Sequence, residues 1–311
     1  MTAASRVWSA SRGGLWTSRL RFVLVVVFTS LAALPRPGVA GEMTDMLGRR
    51  VVVPPRAARI VSLAPSITET VFVLGEGERL VGVTDYCDYP PEAAKKPRVG
   101  GISTPSFEAI LALRPDLVLA TSESNYAEHV QKLTGLGLPV YVIRPVDFET
   151  VLESIERIGA VLGRDTLART HVAAMRRQAD AIAGSVAGVP RPRVLYVVWP
   201  NPLIAPGRGT LITELLERAG GASVTATEPL PYPRLSLEMV VERRPERIIV
   251  GRHGQATTAE LLRGWEHLTA VAAVREGRVY AVDGDLVHRP GPRMIEALRA
   301  LARALHPERV P

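Results

Sequence analysis

Four aromatic residues of this 311-residue chain, Tyr86, Tyr89, Trp199 and Tyr232, fall in Pro- and Gly-rich loops that follow apolar, strand-like runs. Aromatic faces gathered at strand ends suit a broad planar or macrocyclic ligand, because they offer large contact area at little rotamer cost. The same residues could instead cap the ends of a core, and spacing alone leaves both readings open. Covalent and metal chemistry have thinner support. His129, His171, His253, His267, His288 and His306 are scattered with no pair at i, i+4, which argues against a protein-only transition-metal site. The single cysteine, Cys87, excludes a Cys-based metal site and any intramolecular disulfide. No G-x-S-x-G, H-E-x-x-H or Walker loop occurs. Pro206-Gly207-Arg208-Gly209-Thr210 has the look of a phosphate cradle, yet it lacks the lysine and the spacing and reads as a tight turn. His288 alone stands in a candidate cleft loop, either as a ligand contact or as a solvated loop residue. Binding fits this inventory better than catalysis, with no catalytic residue, no resident metal and no cofactor.

Two acids stand out by position. Residues 106–120 (SFEAILALRPDLVLA) recur as residues 236–250 (SLEMVVERRPERIIV), 130 positions later and without a gap. Ser106/Ser236, Glu108/Glu238, Arg114/Arg244 and Pro115/Pro245 are identical. Each copy reads as a helix capped by Ser with Glu in its first turn, closed near Arg-Pro and followed by a short buried strand. A second pairing, RIVSLAPS from Arg59 with RVLYVVWP from Arg193, lies at an offset of 134. Glu108 and Glu238 are then either ordinary complements of a helix dipole or a matched pair of charged contacts, one per repeat, for a two-fold partner.

The elements that must position these residues alternate between strand and helix, which implies a mostly parallel sheet with helices on its faces. Ligands in such sheets collect beyond the carboxyl ends of the strands. The loops at 65–66, 85–89, 121–125, 199–210, 229–233 and 283–293 take that place. VVVPPR within residues 41–57 reads as an edge strand stopped by its prolines. Between the repeats, residues 148–163 are amphipathic, and residues 164–186 continue at helical spacing through Leu167, Val172, Met175, Ala179 and Ile182. This is the pattern of one long helix crossing once between two lobes. The expected fold class is α/β, with two Rossmann-like lobes of mostly parallel sheet joined by a single long helix.

Residues 1–40 combine Arg6, Arg12, Arg19 and Arg21, an apolar run over residues 22–34, and Gly38-Val39-Ala40, as a secretory signal peptide does. Five of the 38 basic residues and no acids lie there, leaving 33 basic against 31 acidic residues, a net charge of +2. The high whole-chain charge is therefore not a nucleic-acid footprint, and no basic cluster interleaved with aromatics occurs elsewhere. The expected organisation is a signal peptide at 1–40, an N-terminal extension at 41–57, a first lobe at 58–163, an interlobe helix at 164–187 and a second lobe at 188–311.

With these residues in view, the chain resembles the periplasmic substrate-binding proteins of ABC importers for cobalamin and iron-siderophores. The resemblance runs from about Arg59 to Leu305. It is carried by RIVSLAPSITETVFVLG, LVGVTDYCDYPPEA and FEAILALRPDLVLA, of which DYCDYPPEA is most similar to the cleft loop of the cobalamin branch. It implies the class III periplasmic-binding-protein fold and a corrinoid, cobalamin in that branch, as transported ligand. It implies ligand contacts at Tyr86, Trp199, Tyr232 and Asp285, and permease docking through Glu108 and Glu238. Arg289, within HRPGPR, would meet an anionic group. A periplasmic monomer serving a permease dimer follows from the same resemblance. Where the cobalamin binders carry further Trp residues, this chain has Gly100-Gly101-Ile102-Ser103 and Thr121-Ser122-Glu123. A ferric siderophore or haem is the alternative ligand, and an exported enzyme or a metallochaperone the alternative class.

Overall fold

The computed structural model describes residues 41–252, 254 and 257–310. The signal-peptide expectation and His253 lie outside the described residues.

The first lobe is a four-stranded parallel sheet with strands β3 (Ile60–Ser62), β4 (Leu80–Val83), β5 (Leu117–Thr121) and β6 (Val140–Ile143), ordered β4-β3-β5-β6. The second is built from β7 (Arg193–Val197), β10 (Ala222–Ser223), β11 (Arg247–Arg252) and β12 (Val279–Asp283), ordered β10-β7-β11-β12 and again parallel. Taken in chain order, both sheets run 2-1-3-4. The duplication seen in sequence is thus a duplication of topology. Each sheet is covered on both faces, which is why its central strands carry apolar runs such as residues 117–120 and 194–197. Leu117 and Leu119 of β5 enter one core while Val118 and Ala120 enter the other. Val194 and Tyr196 of β7 are likewise separated from Leu195 and Val197.

Helix α1 (Pro65–Val73) follows β3 at once, with Pro65 in its first turn, where the missing N–H leaves no intrahelical bond unmade. Pro65 and Ser66 therefore open a helix and do not form a loop. The repeated helices are α2 (Phe107–Ala112) and, in the second lobe, α7 (Leu237–Arg243). Helix α3 (Ala127–Gly135) separates β5 from β6. Helix α4 (Phe148–Leu162) opens on a capping box between Asp147 and Thr150 and ends at Gly163, which turns left-handed at φ 71°. The 21-residue helix α5 (Asp165–Ser185) then carries the chain across. Its Ala168 joins the first lobe's core, while Val172, Met175, Ala179 and Ile182 join the second's. Helix α4 runs beside it and also divides itself, with Val151 and Ile155 in the second core and Ile158 and Leu162 in the first. The spacer is thus doubled by a second helix.

The second lobe is completed by the short hairpin β8 (Trp199–Pro200) and β9 (Leu203–Ile204), and by α6 (Leu211–Arg218), α8 (Thr258–Arg263), α9 (Ala272–Arg275), α10 (Gly284–Val287) and α11 (Met294–Leu305). Strands β8 and β9 and helix α10 fall in stretches that the sequence reads as loop; each is too short to show a period. VVVPPR supplies β2 (Arg50–Val53), which pairs with β1 (Gly41–Thr44) as an antiparallel hairpin and not with the main sheet. Its turn still protects the sheet edge. Met46 N–H donates to the Val142 carbonyl, and the Arg49 guanidinium to that of Val140, both on edge strand β6.

Candidate functional site

Because both sheets are parallel, all their carboxyl ends lie on one side, and the loops leaving those ends meet between the lobes. Gly291 packs on Ser66 so closely that a Cβ there would stand 3.1 Å from Ser66 Cβ and 3.2 Å from its Cα. Arg293 donates to both carboxylate oxygens of Glu69, at 2.9 and 2.6 Å, across 224 positions of sequence. Arg289 donates to Asp88 at 2.6 Å and pairs with Asp285 at 2.9 Å and Glu69 at 3.6 Å. The Arg293 guanidinium also lies 4.1 Å from the centre of the Tyr89 ring. Burial works against the Arg289 charge, but the Asp88 hydrogen bond and the charges of Asp285, Asp88 and Glu69 outweigh it and hold its pKa above the ordinary value. The same Arg289 bond, the largest influence on Asp88, holds that carboxyl below its ordinary range.

The loop at 85–89 alternates its allegiance residue by residue. Tyr86 is 59% exposed, while the Cys87 side chain is fully buried in the first core. The Cys87 thiol is held by the Thr68 and Thr84 hydroxyls at 3.2 and 3.1 Å, and burial pushes its pKa up. Asp88 and Tyr89 then turn to the second lobe's arginines. Cys87 is therefore the anchor that presents its neighbours. Arg98 fixes the same loop from below, donating to the carbonyls of Thr84 and Cys87 at 2.7 and 2.9 Å.

In the second lobe Trp199 is 48% and Tyr232 53% exposed. Trp199 Nε1–H donates to the Asn201 carbonyl at 3.0 Å, which sets the indole at the tip of its hairpin. The Tyr232 phenol has its pKa raised first by burial and then by the negative charge of Glu123, a residue of the first lobe. Tyr232 is thus half exposed and still within electrostatic reach of the other lobe. His288 is not a solvated loop residue: it shares a 2.9 Å hydrogen bond with the buried Tyr196 hydroxyl, against Gly251. The glycine-rich turn at 206–210 has its amides occupied, Gly207 N–H by the Pro231 carbonyl and Arg208 N–H by that of Glu228. It is a helix entry capped by Thr210, not an anion cradle.

The structure therefore joins Asp285 and Arg289 directly and ties the Tyr86 loop to them through Asp88, while Trp199 and Tyr232 stand on separate loops of the second lobe. Arg289 meets three carboxylates of the protein itself. Three residues near the strand ends escape the sequence reading. Tyr126, 55% exposed, follows the β5 loop by one residue, and Leu230 is exposed beside Tyr232. Glu69 is the third, a carboxylate hidden in an otherwise ordinary helix turn. Among the described residues, no group of three or more His, Cys, Asp and Glu comes together to hold a metal ion. No helix among them is long and apolar enough to cross a membrane. A groove between α4 and α5 of about 550 Å³ is lined by charges such as Glu149, Arg157 and Arg176 and by none of the cleft aromatics.

Glu108 and Glu238 are both exposed in the first turns of α2 and α7, one on each lobe. Ser106 Oγ accepts from Ala109 N–H at 3.2 Å and Ser236 Oγ from Met239 N–H at 3.3 Å, so the two helices open alike. A hydrogen bond from Ser236 holds the Glu238 carboxyl below its ordinary pKa.

The sequence profile of the family described as periplasmic binding protein matches residues 60–286. The chain belongs to that family. It is 32% identical over 250 residues to the vitamin B12-binding protein of Salmonella typhimurium, covering 80% of this chain and 90% of that one. The crystal structure of the periplasmic vitamin B12-binding protein of Vibrio cholerae superposes with a TM-score of 0.72 at 29% identity, over 80% of this chain and 96% of that one. A periplasmic haem-binding protein from Roseiflexus sp. RS-1 gives a TM-score of 0.73 at 27% identity, over 81% of this chain and 98% of that one. The expected two-lobed, class III architecture is the architecture of this periplasmic binding protein.

Proposed function

We infer that this periplasmic binding protein captures a corrinoid of the cobalamin class between its lobes and delivers it, as a monomer and without chemical turnover, to an ABC permease dimer. The observation that carries the reading is the set of half-exposed aromatics in loops of both lobes: Tyr86 from the first, Trp199 and Tyr232 from the second. A macrocycle would lay a broad apolar face on these exposed rings, which offer large contact area at little rotamer cost. The similarity to vitamin B12-binding proteins supports the same ligand class. Haem or an anionic siderophore fits less well. Arg289, the cation expected to meet an anionic group, is already engaged by Asp88, Asp285 and Glu69, so a propionate or carboxylate would have to displace one of them there. Asp285 then acts on a ligand from a position set by Arg289. Docking rests on Glu108 and Glu238, and the helix face bearing them repeats one turn on, where Leu111 and Val241 are both exposed. A surface presented twice suits a two-fold partner, and the chain would meet it in the periplasm.

Titration of the protein with cyanocobalamin, cobinamide, haem and a ferric siderophore, followed by absorbance and by thermal shift, tests the ligand. A saturable one-to-one response to a corrinoid alone is expected, since a ligand that binds only the folded state raises its melting temperature. A response to haem or siderophore alone would overturn the corrinoid reading and keep the importer.

A further inference from the structure

We propose that Glu69 and Arg293 form an interlobe latch that fixes the distance between the Tyr86 loop and the Asp285 loop, so that these two residues set ligand affinity without touching ligand. The proposal rests on the reading that the ligand lies between the lobes. Neither residue belongs to the set expected to contact it.

The Glu69 side chain is 2% and that of Arg293 13% exposed, so the pair has been taken out of water. A desolvated ion pair is a poor source of stability, because well-packed apolar side chains in the same volume do as well or better. What it supplies is direction. The guanidinium fork grips both carboxylate oxygens in one plane and resists both shear and rotation. Here the grip adds to α4 and α5 a further link between the two cores, with Glu69 on the helix packed against the first sheet and Arg293 at the entry to α11 of the second.

The surroundings turn the pair into a fulcrum. Arg289-Pro290-Gly291-Pro292-Arg293 places a contact of backbone on backbone, Gly291 on Ser66, between two arginines, and the prolines stiffen the segment that spaces them. A side chain at Gly291 would press on Ser66 more tightly than ordinary van der Waals contact allows. On one flank Arg293 holds Glu69 and lies under Tyr89; on the other Arg289 holds Asp88 and Asp285. Tyr86 sits two residues from Asp88 in a loop whose Cys87 is anchored in the first core. Once the latch is closed, the loop bearing Tyr86 and the loop bearing Asp285 are set relative to each other before any ligand arrives. Such pre-organisation is felt as affinity: if the competent arrangement falls to about a tenth of the population, the apparent Kd rises about tenfold.

The test measures lobe geometry first and ligand second. Nitroxide labels at Leu136→Cys and Glu217→Cys, both exposed and one on each lobe, report the interlobe distance by pulsed electron resonance, and the buried Cys87 stays unlabelled. The expected result without ligand is one narrow distribution for the native pair, a broad or displaced one for Glu69→Gln and Arg293→Ala, and an intermediate one for Arg293→Lys, which keeps the charge and loses the fork. Cyanocobalamin affinity should fall in the same order. Should Arg293→Ala fail to fold, Arg293→Lys and Glu69→Gln carry the test. Unchanged distributions in all variants, or affinity unchanged where the distribution broadens, would overturn the latch. Broadening in a protein that binds no corrinoid even in native form would leave the latch standing and sink the ligand reading.

Discussion

Arg59 and Arg193 do the same work in different lobes. Arg59 Nη2 donates to the Leu113 carbonyl at 2.6 Å, and Arg193 Nη2 donates to the Arg243 carbonyl, its positional equivalent, at 2.5 Å. The backbone N–H of each arginine is received by an acid just past the repeated proline, Arg59 by Asp116 at 2.9 Å and Arg193 by Glu246 at 2.8 Å. The two pairings found in the sequence at offsets of 130 and 134 are therefore one motif, a strand start bolted to the end of the repeated helix. Between bolt and proline, Arg114 and Arg244 both take φ 44°, a left-handed conformation uncommon for a side chain with Cβ.

That shared conformation makes Arg114→Gly and Arg244→Gly stabilising. Left-handed backbone costs a non-glycine residue roughly 1–2 kcal/mol, of which glycine's extra chain entropy returns part. Each substitution is expected to raise unfolding stability by about 0.5–1 kcal/mol, read as a higher urea midpoint at unchanged slope. A loss in either lobe would mean that the arginine side chain contributes more than its backbone strain removes.

Legibility in the sequence followed locality. The repeated helices, the buried strands and the long α5 announce themselves through caps, proline and period. Loops at the strand ends, and with them Tyr86, Trp199 and Tyr232, follow from the parallel topology. What joins the lobes does not. Glu69 and Arg293 are 224 positions apart, and nothing in ITETVFVLG distinguishes a carboxylate bound for burial from one facing water. The β1–β2 hairpin was hidden for a related reason. Its turn depends on the buried Asp45 carboxylate receiving the N–H groups of Leu47 and Arg49, each at 2.9 Å, and so looks like polar surface in sequence.

Reversing the docking acids separates delivery from capture. Glu108→Arg and Glu238→Arg lie on exposed helix turns outside the aromatic loops, so cyanocobalamin affinity is expected to stay within twofold or so of native. Like charges set face to face at an interface cost several kcal/mol. Association with the permease in nanodiscs should therefore weaken sharply for each single variant and vanish for the double. Equal association of native and double variant would remove these acids from the docking surface.

Acid should loosen the Asp88–Arg289 contact. The Arg289 hydrogen bond depresses the Asp88 pKa below its unfolded value, so this contact stabilises the fold above the ordinary carboxylate range of about 4 and loses its contribution as pH falls through the depressed value. Native protein should exceed Asp88→Asn in stability at pH 7, with the gap closing as pH falls below the ordinary carboxylate range. Parallel denaturation curves over that range provide the comparison. A gap that persists in acid would assign the stabilisation to shape and not to charge.

Tyr232 offers a reading of the cleft that needs no ligand. Its pKa is raised first by burial and further by Glu123 on the opposite lobe. Glu123→Gln should therefore lower it, though not to the ordinary value, because burial remains. Difference absorbance of the phenolate against a Tyr232→Phe background isolates this one residue among the chain's seven tyrosines. A pKa unmoved by Glu123→Gln would mean that the lobes stand further apart in solution than an electrostatic contact allows. The aromatic role follows from the same position. Tyr232→Ala and Trp199→Ala should each weaken corrinoid binding by about 1–2 kcal/mol, as truncation of a central aromatic contact does, while Tyr232→Phe keeps most of the affinity because the ring face carries it. Calorimetric titration of the three variants distinguishes a stacking surface from a phenol used as a hydrogen-bond donor, for which Phe and Ala would be equally damaging.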